Sequence, residues 1–140
     1  MKRATTYHKS LNASTKNLSR VRNFVSTQAK KHGFTDNQIN DIRLAVDEAC
    51  TNVIKHAYSF DESKEFSVDL EFDNSALSIE ITDFGIGFNP SKYEAPNLQK
   101  RIKQKKRGGM GIFLIQNLMD ELTYDSDGSK NVIKMIKYRN

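Results

Sequence analysis

Apolar residues recur along this chain with two different periods. From Asn17 onward, Leu18, Val21, Val25 and Ala29 fall three or four residues apart, while Arg20, Arg22 and Lys30 occupy other faces. That spacing predicts an amphipathic helix, ended by His32-Gly33. Thr35 or Asp36 is placed to cap a second helix over about Asn37–Ala57, with Ile42, Val46, Ala49, Val53 and Ala57 as one apolar stripe. The period then falls to two. Phe66, Val68, Leu70 and Phe72 alternate with polar residues, as do Leu77, Ile79 and Ile81, and Asp73-Asn74-Ser75 between them reads as a hairpin turn. Gly85–Gly109 holds two prolines and four glycines with no period. It is long for an idle connection, which predicts a lid or binding loop. A last helix is predicted from Met110 to about Leu122, with Ile115, Leu118, Met119 and Leu122 inward. Strands are predicted at Thr5–Lys9, Thr123–Asp127 and Val132–Tyr138. Strands and helices do not alternate one for one, so the pattern predicts an α+β fold with one mixed sheet and helices on a single face. No internal repeat or low-complexity linker interrupts it.

Composition narrows this further. A chain of 140 residues fits one domain, and 37% hydrophobic with 28% charged residues is an ordinary balance that needs no disulfide or metal staple. Cys50 is the single cysteine, which excludes an intramolecular disulfide and fits a reduced cytoplasmic setting. MKRATTYHKSLNAS lacks the apolar core of a secretory signal, and no stretch approaches the roughly 18 apolar residues of a spanning helix. No membrane association is expected. The net charge of +5 is concentrated in Lys100, Arg101, Lys103, Lys105, Lys106 and Arg107. A basic run beside a glycine cluster suits phosphates or an acidic protein as well as nucleic acid, and a solvated loop is the plain alternative.

Three segments carry candidate chemistry. In AVDEACTNVIKHAY, Glu48 and Asn52 lie four apart on the second helix and project to one side. A carboxylate there can take a proton from an attacking hydroxyl or water, and an amide oxygen one turn on is a neutral ligand suited to Mg²⁺ shared with phosphates. An ordinary polar pair on a helix face is the alternative. In ITDFGIGFNP, Asp83 ends a strand, with Gly85 and Gly87 behind it. Such glycines permit positive φ or close backbone approach to a ligand, and a strand-end carboxylate can accept from an exocyclic amine such as adenine N6. A tight turn explains the same residues. In RGGMGIFLIQNL, Gly108, Gly109, Met110 and Gly111 lead into an apolar helix. Free amides at a helix start favour phosphate, with Lys106 and Arg107 just upstream; a flexible hinge is the competing reading. The segment is neither a Walker A loop nor a dinucleotide fingerprint, since no Lys-Ser/Thr follows the glycines and no strand leads straight into them.

Each signal is ambiguous alone, but their order is specific. E-x-x-x-N on a helix, D-x-G-x-G at a strand end, a long loop and a G-x-G helix start resemble the N, G1 and G2 boxes of the GHKL ATPases. DIRLAVDEACTNVIKHAY and RGGMGIFLIQNLMDEL resemble in particular the anti-sigma serine-protein kinases of that superfamily, over roughly Asn17–Tyr138. The resemblance implies a two-layer α/β sandwich with a mixed, mostly antiparallel sheet, a single domain over residues 1–140 and a lid at about 88–107. It implies ATP and Mg²⁺, with Glu48 as general base, Asn52 as Mg²⁺ ligand and Asp83 as adenine reader. Gly85 and Gly87 would shape the base pocket, Gly108, Gly109, Met110 and Gly111 would meet the phosphates, and Arg107 would lie near the γ-phosphate. The implied partners are a sigma factor, a STAS-type anti-anti-sigma protein whose serine is phosphorylated, and a second copy in a homodimer, with no direct nucleic-acid contact. Arg20 matches a partner-contact arginine. Family members close with a G-T-x-I strand whose Thr helps bind adenine. Here Lys130 and Val132 are aligned with that Gly and Thr, and Val132 has no hydroxyl.

Two alternatives stand beside the kinase. One is a nucleotide-binding partner switch with little or no kinase activity, left open by Val132 and by the lack of any visible partner sequence. The other is a phosphohistidine-type domain, which ranks last because no helix pair with an acceptor histidine precedes the N box. His8, His32 and His56 read as structural or surface residues.

Overall fold

The structure, a computed structural model, describes residues 4–86, 107–127 and 129–139, with only the backbone for 107–111. Gly87, the basic residues Lys100–Lys106 and all but Arg107 of the expected lid at about 88–107 lie outside the described residues.

Five strands form one sheet in the order β1-β2-β3-β5-β4, where β1 is Thr5–Asn12, β2 Glu65–Phe72, β3 Ala76–Asp83, β4 Glu121–Ser126 and β5 Asn131–Tyr138. All four pairings among the described strands are antiparallel, where a mixed, mostly antiparallel sheet was expected. Among the described residues there are three α-helices: α1 (Leu18–Lys31), α2 (Asp36–Asn52) and α3 (Arg107–Leu118). Alternation decides which sheet face they cover. Phe66, Val68, Leu70, Phe72, Leu77, Ile79, Ile81, Ile133 and Met135 are buried and join Val21, Val25, Ile42, Val46 and Ile115 in one core. The other face carries Thr6, His8, Asp69, Glu80 and Lys134 around a shallow polar depression of about 360 Å³ that holds none of the expected site residues.

Local signals set the helix ends. Thr35 and Gln38 form a reciprocal capping box at the start of α2. At the end of α1, Gly33 N–H donates to Lys30 O and Phe34 N–H to Ala29 O, with Gly33 at φ 87. That is a Schellman closure with a left-handed glycine. Two expected boundaries are corrected. The second helix keeps α geometry only to Asn52, and Val53–Ala57 form a π-turn. The last helix ends at Leu118 rather than Leu122, because Leu122 alternates with Tyr124 on β4 and pairs with Met135.

Helix direction positions the site. Gln38, in the first turn of α2, donates to the carbonyls of Tyr138 and Arg139, and Lys137 reaches both Asp41 of α2 and the carbonyl of Leu118 that ends α3. The start of α2 and the end of α3 are therefore tied to the sheet end where Ala76 pairs with Tyr138. Helices α2 and α3 pack together as antiparallel neighbours. Their other termini, at Asn52 and Arg107, point toward the sheet end where Asp83 pairs with Asn131.

Candidate functional site

At that end of the sheet, the π-turn meets the strand. Winding Val53–Ala57 at the wider pitch leaves the carbonyl of Ala57 outside the helical ladder, where it accepts from Ile86 N–H at 2.9 Å. Tyr58, buried just beyond, donates its hydroxyl to Glu65 O at 2.6 Å and accepts from Phe84 N–H at 2.8 Å. Burial pushes this phenol above its ordinary pKa. The end of α2 is thus fastened to the residues on both sides of Gly85. A Cβ on Gly85 would stand 2.3 Å from Ala57 O and 2.9 Å from the Tyr58 ring. Among the described glycines only Gly33 has positive φ. Gly85 is therefore required for close approach to the Ala57 backbone and not for positive φ, where close approach to a ligand was expected.

Asp83 is 5% exposed at the inner end of β3. Its Oδ1 accepts from Gly85 N–H at 2.9 Å and from Asn131 Nδ2 at 2.8 Å. The same Nδ2 donates to Gly85 O at 3.0 Å, and Asn131 Oδ1 accepts from Ser126 Oγ at 2.6 Å. Among the described residues, both bonds to Asp83 fall on Oδ1. The carboxylate is thus held by one of its oxygens, an arrangement that suits the other for a ligand donor.

Asn131 is the residue that sequence reasoning missed. Val132 was aligned with the adenine-side Thr, but it pairs with Thr82 and its side chain belongs to the open face of the sheet. Asn131 pairs with Asp83, faces inward and is 1% exposed. The signal was present in the sequence. Ile133 and Met135 are apolar and inward, so two-residue parity sends 131 to the same side and 132 to the other.

Glu48 and Asn52 are half-buried on the last turns of α2, one turn apart. Asn52 makes no capping bond to the turn that follows, so capping does not consume its carboxamide. The backbone of Arg107, Gly108, Gly109, Met110 and Gly111 opens α3, and at most the first four amide N–H groups of a helix have no intrahelical acceptor. The structure therefore gathers the N-box end, Asp83 with Gly85, and the glycine-rich helix start at one end of the molecule. Among the described residues, no three His, Cys, Asp or Glu side chains form a metal cage. The donor set suits a cation held largely by phosphate and water oxygens, with one protein amide. The histidines have structural or surface places, as expected. His32 stacks on Phe72 with 4.1 Å between ring centroids, His8 pairs with Asp69, and His56 is exposed.

An α+β sandwich in which a helix C-terminus, a strand-end aspartate and a helix N-terminus meet is the arrangement of histidine kinase-like ATPase domains. The chain belongs to that family, which it matches over residues 11–137. Among curated relatives, the serine-protein kinase RsbW of Halalkalibacterium halodurans is 37% identical over 122 residues, 84% of this chain and 74% of that protein. Its namesake in Bacillus subtilis is 31% identical over 124 residues, 86% of this chain and 77% of the relative. Two solved structures share the fold. The SiaB-SiaC complex of Pseudomonas aeruginosa aligns with TM-score 0.70 at 9% identity, covering 93% of this chain and 88% of that one. The RsbU and RsbW domains of a Mycobacterium tuberculosis protein align with TM-score 0.68 at 15% identity, covering 95% of this chain and 32% of that one.

Proposed function

We propose that this chain is a serine-protein kinase of the anti-sigma type. It uses Mg-ATP to phosphorylate a serine of a STAS-type anti-anti-sigma protein, and it sequesters a sigma factor as a homodimer in the cytoplasm. The observation that carries this reading is the meeting of α2's end, Asp83 and the start of α3 at one end of the sheet, in a chain whose relatives are serine-protein kinases. Asp83 reads the adenine amine. Gly109 and Gly111 offer amides to the phosphates, with Gly108 and Met110 completing the turn, and Arg107 approaches the γ-phosphate. Asn52 is the residue that would hold Mg²⁺, which when bound neutralises charge on the transferring phosphoryl group. Glu48 takes the proton of the attacking serine hydroxyl as its oxygen bonds to the γ-phosphorus and the bond to ADP breaks. Gly87 belongs to the same base pocket by its place in the D-x-G-x-G motif. Among the described residues no helix is long and apolar enough to cross a membrane. Val132 lies on the other face of the sheet, so Asn131 is the β5 residue beside Asp83.

The test is incubation with γ-labelled ATP, Mg²⁺ and candidate anti-anti-sigma proteins. Label should reach a serine, and Glu48→Ala should cut transfer by about 10²–10⁴-fold while ADP affinity stays within about twofold. Joint loss of transfer and ADP binding would make Glu48 structural. Asn52→Ala should weaken Mg-ATP more than metal-free ATP in calorimetry; equal weakening would remove its metal role.

A further inference from the structure

The Asp83–Asn131–Ser126 chain reaches beyond what the family motifs assign. Asn131 is almost fully buried, and its carboxamide spends both polar atoms on named partners: Nδ2 on Asp83 Oδ1 and Gly85 O, Oδ1 on Ser126 Oγ. The amide orientation is dictated by those partners. A flipped amide would set its oxygen against a carboxylate oxygen and a carbonyl oxygen, two acceptor–acceptor contacts in a buried place. Gly85 is tied through both of its backbone polar groups, its N–H to Asp83 and its C=O to Asn131. The aspartate, the glycine turn and the first residue of β5 thus form one closed hydrogen-bonded ring. A hydroxyl at position 131 has one hydrogen and could satisfy Asp83 or Gly85 but not both; a carboxamide satisfies both.

We propose that Asn131 is the positioning residue for base recognition in this protein. By fixing Asp83 through Oδ1 and Gly85 through its carbonyl, it aims the remaining carboxylate oxygen at the 6-amino group of a purine, and Ser126 orients Asn131 in turn. The inference rests on the reading of this end of the sheet as a nucleotide site. Asn131 need not touch the ligand. Its effect is on discrimination between a base that donates at position 6 and one that accepts there, because a mis-aimed carboxylate loses the donor contact and nothing else.

The test pairs two ligands with three variants. ADP carries the 6-amino group, and inosine diphosphate carries an oxygen in its place. Wild-type protein should prefer ADP by at least tenfold in calorimetry. Asn131→Leu, alike in branching but larger and without polar atoms, should weaken ADP about tenfold or more and inosine diphosphate less than threefold. Asn131→Thr should recover part of the preference. Ser126→Ala, on an exposed residue, should lower it a few-fold, and these two variants carry the test if Asn131→Leu does not fold. A role in packing alone would weaken both ligands equally. Equal loss in a wild type that prefers ADP, or an unchanged preference in all folded variants, overturns the role of Asn131 and leaves the nucleotide site standing. A wild type that binds neither nucleotide overturns the site itself, and the inference with it.

Discussion

At the Ala76 end of the sheet, His32 stacks on Phe72, Tyr7 meets both rings edge-on, and Arg139 lies over Phe34. A Schellman turn and a capping box close the helices there. At the Asp83 end the construction differs. All three buried polar side chains among the described residues, Ser14, Asp83 and Asn131, gather there. So do the π-turn and two successive left-handed residues, Ser59 (φ 49) and Phe60 (φ 65), while Phe60, Phe84 and Ile86 stay exposed. Left-handed geometry costs a non-glycine residue roughly 1–2 kcal/mol. The first end is closed by ordinary caps and aromatic packing, and the second departs from such local rules at several residues. Departures of this kind persist where the surrounding structure holds them for a purpose, and here they coincide with the residues proposed to hold the nucleotide.

Gly33 at the first end and Gly85 at the second sharpen the contrast, since they serve opposite needs. Gly85→Ala should have the largest effect. With Ala57 O at 2.3 Å from the added carbon, the π-turn or the strand must move. The expected cost is about 2–3 kcal/mol in urea unfolding, with ADP affinity lowered more than tenfold. Normal affinity in this variant would show that the close approach does not shape the pocket. Gly33→Ala meets nothing within 4 Å but keeps a φ of +87, so it should cost about 1 kcal/mol and leave ADP binding untouched. Gly33→Asn should be milder than Gly33→Ala, as left-handed geometry suits Asn, whereas Gly85→Asn should be at least as harmful as Gly85→Ala. Thr35→Ala removes one half of the capping box and should cost about 1 kcal/mol, again without a change in ADP affinity.

The smallest effect is a pH dependence confined to the aromatic end. Burial first, then the nearby Arg139 and Lys31 charges, hold the His32 pKa below its ordinary value. The unfolded chain therefore binds this proton more readily than the folded one. The stability concerned is fully present above about pH 6.5 and is lost as pH falls from there through the lower folded pKa. His32→Gln should flatten this part of the stability–pH curve without altering ADP affinity at neutral pH. A slope that persists in the variant would assign it to other groups.

Much of this was legible in the sequence, for identifiable reasons. The stripe Val21, Val25, Ala29 and the alternation from Phe66 to Phe72 are strong periodic signals, and the structure buries them as expected. Thr35 and Gly33 announce the helix ends by chemistry that acts within four residues. The π-turn was hidden because Val53 and Ala57 continue the apolar stripe of α2, and one extra residue per turn leaves no trace in composition. Leu122 misled because it fits a helical stripe through Leu118 as well as a strand through Tyr124. Asn131 was missed because a motif was aligned by likeness instead of by parity with Ile133 and Met135. At the site, Asp83 and the Glu48–Asn52 ladder could be named from sequence. The Tyr58 bridge and the Ser126–Asn131–Asp83 chain depend on residues 26 to 48 positions apart, or on strand register, which no local window carries.

The central claim is that three distant segments surround one nucleotide, and amide hydrogen exchange during titration with Mg-ADP tests it most directly. Protection should rise in residues 48–57, 81–86 and 107–111 with a single concentration dependence, while β1 on the far edge of the sheet stays unchanged. Protection confined to one of those segments, or appearing on the open face around His8 and Glu80, would contradict the account.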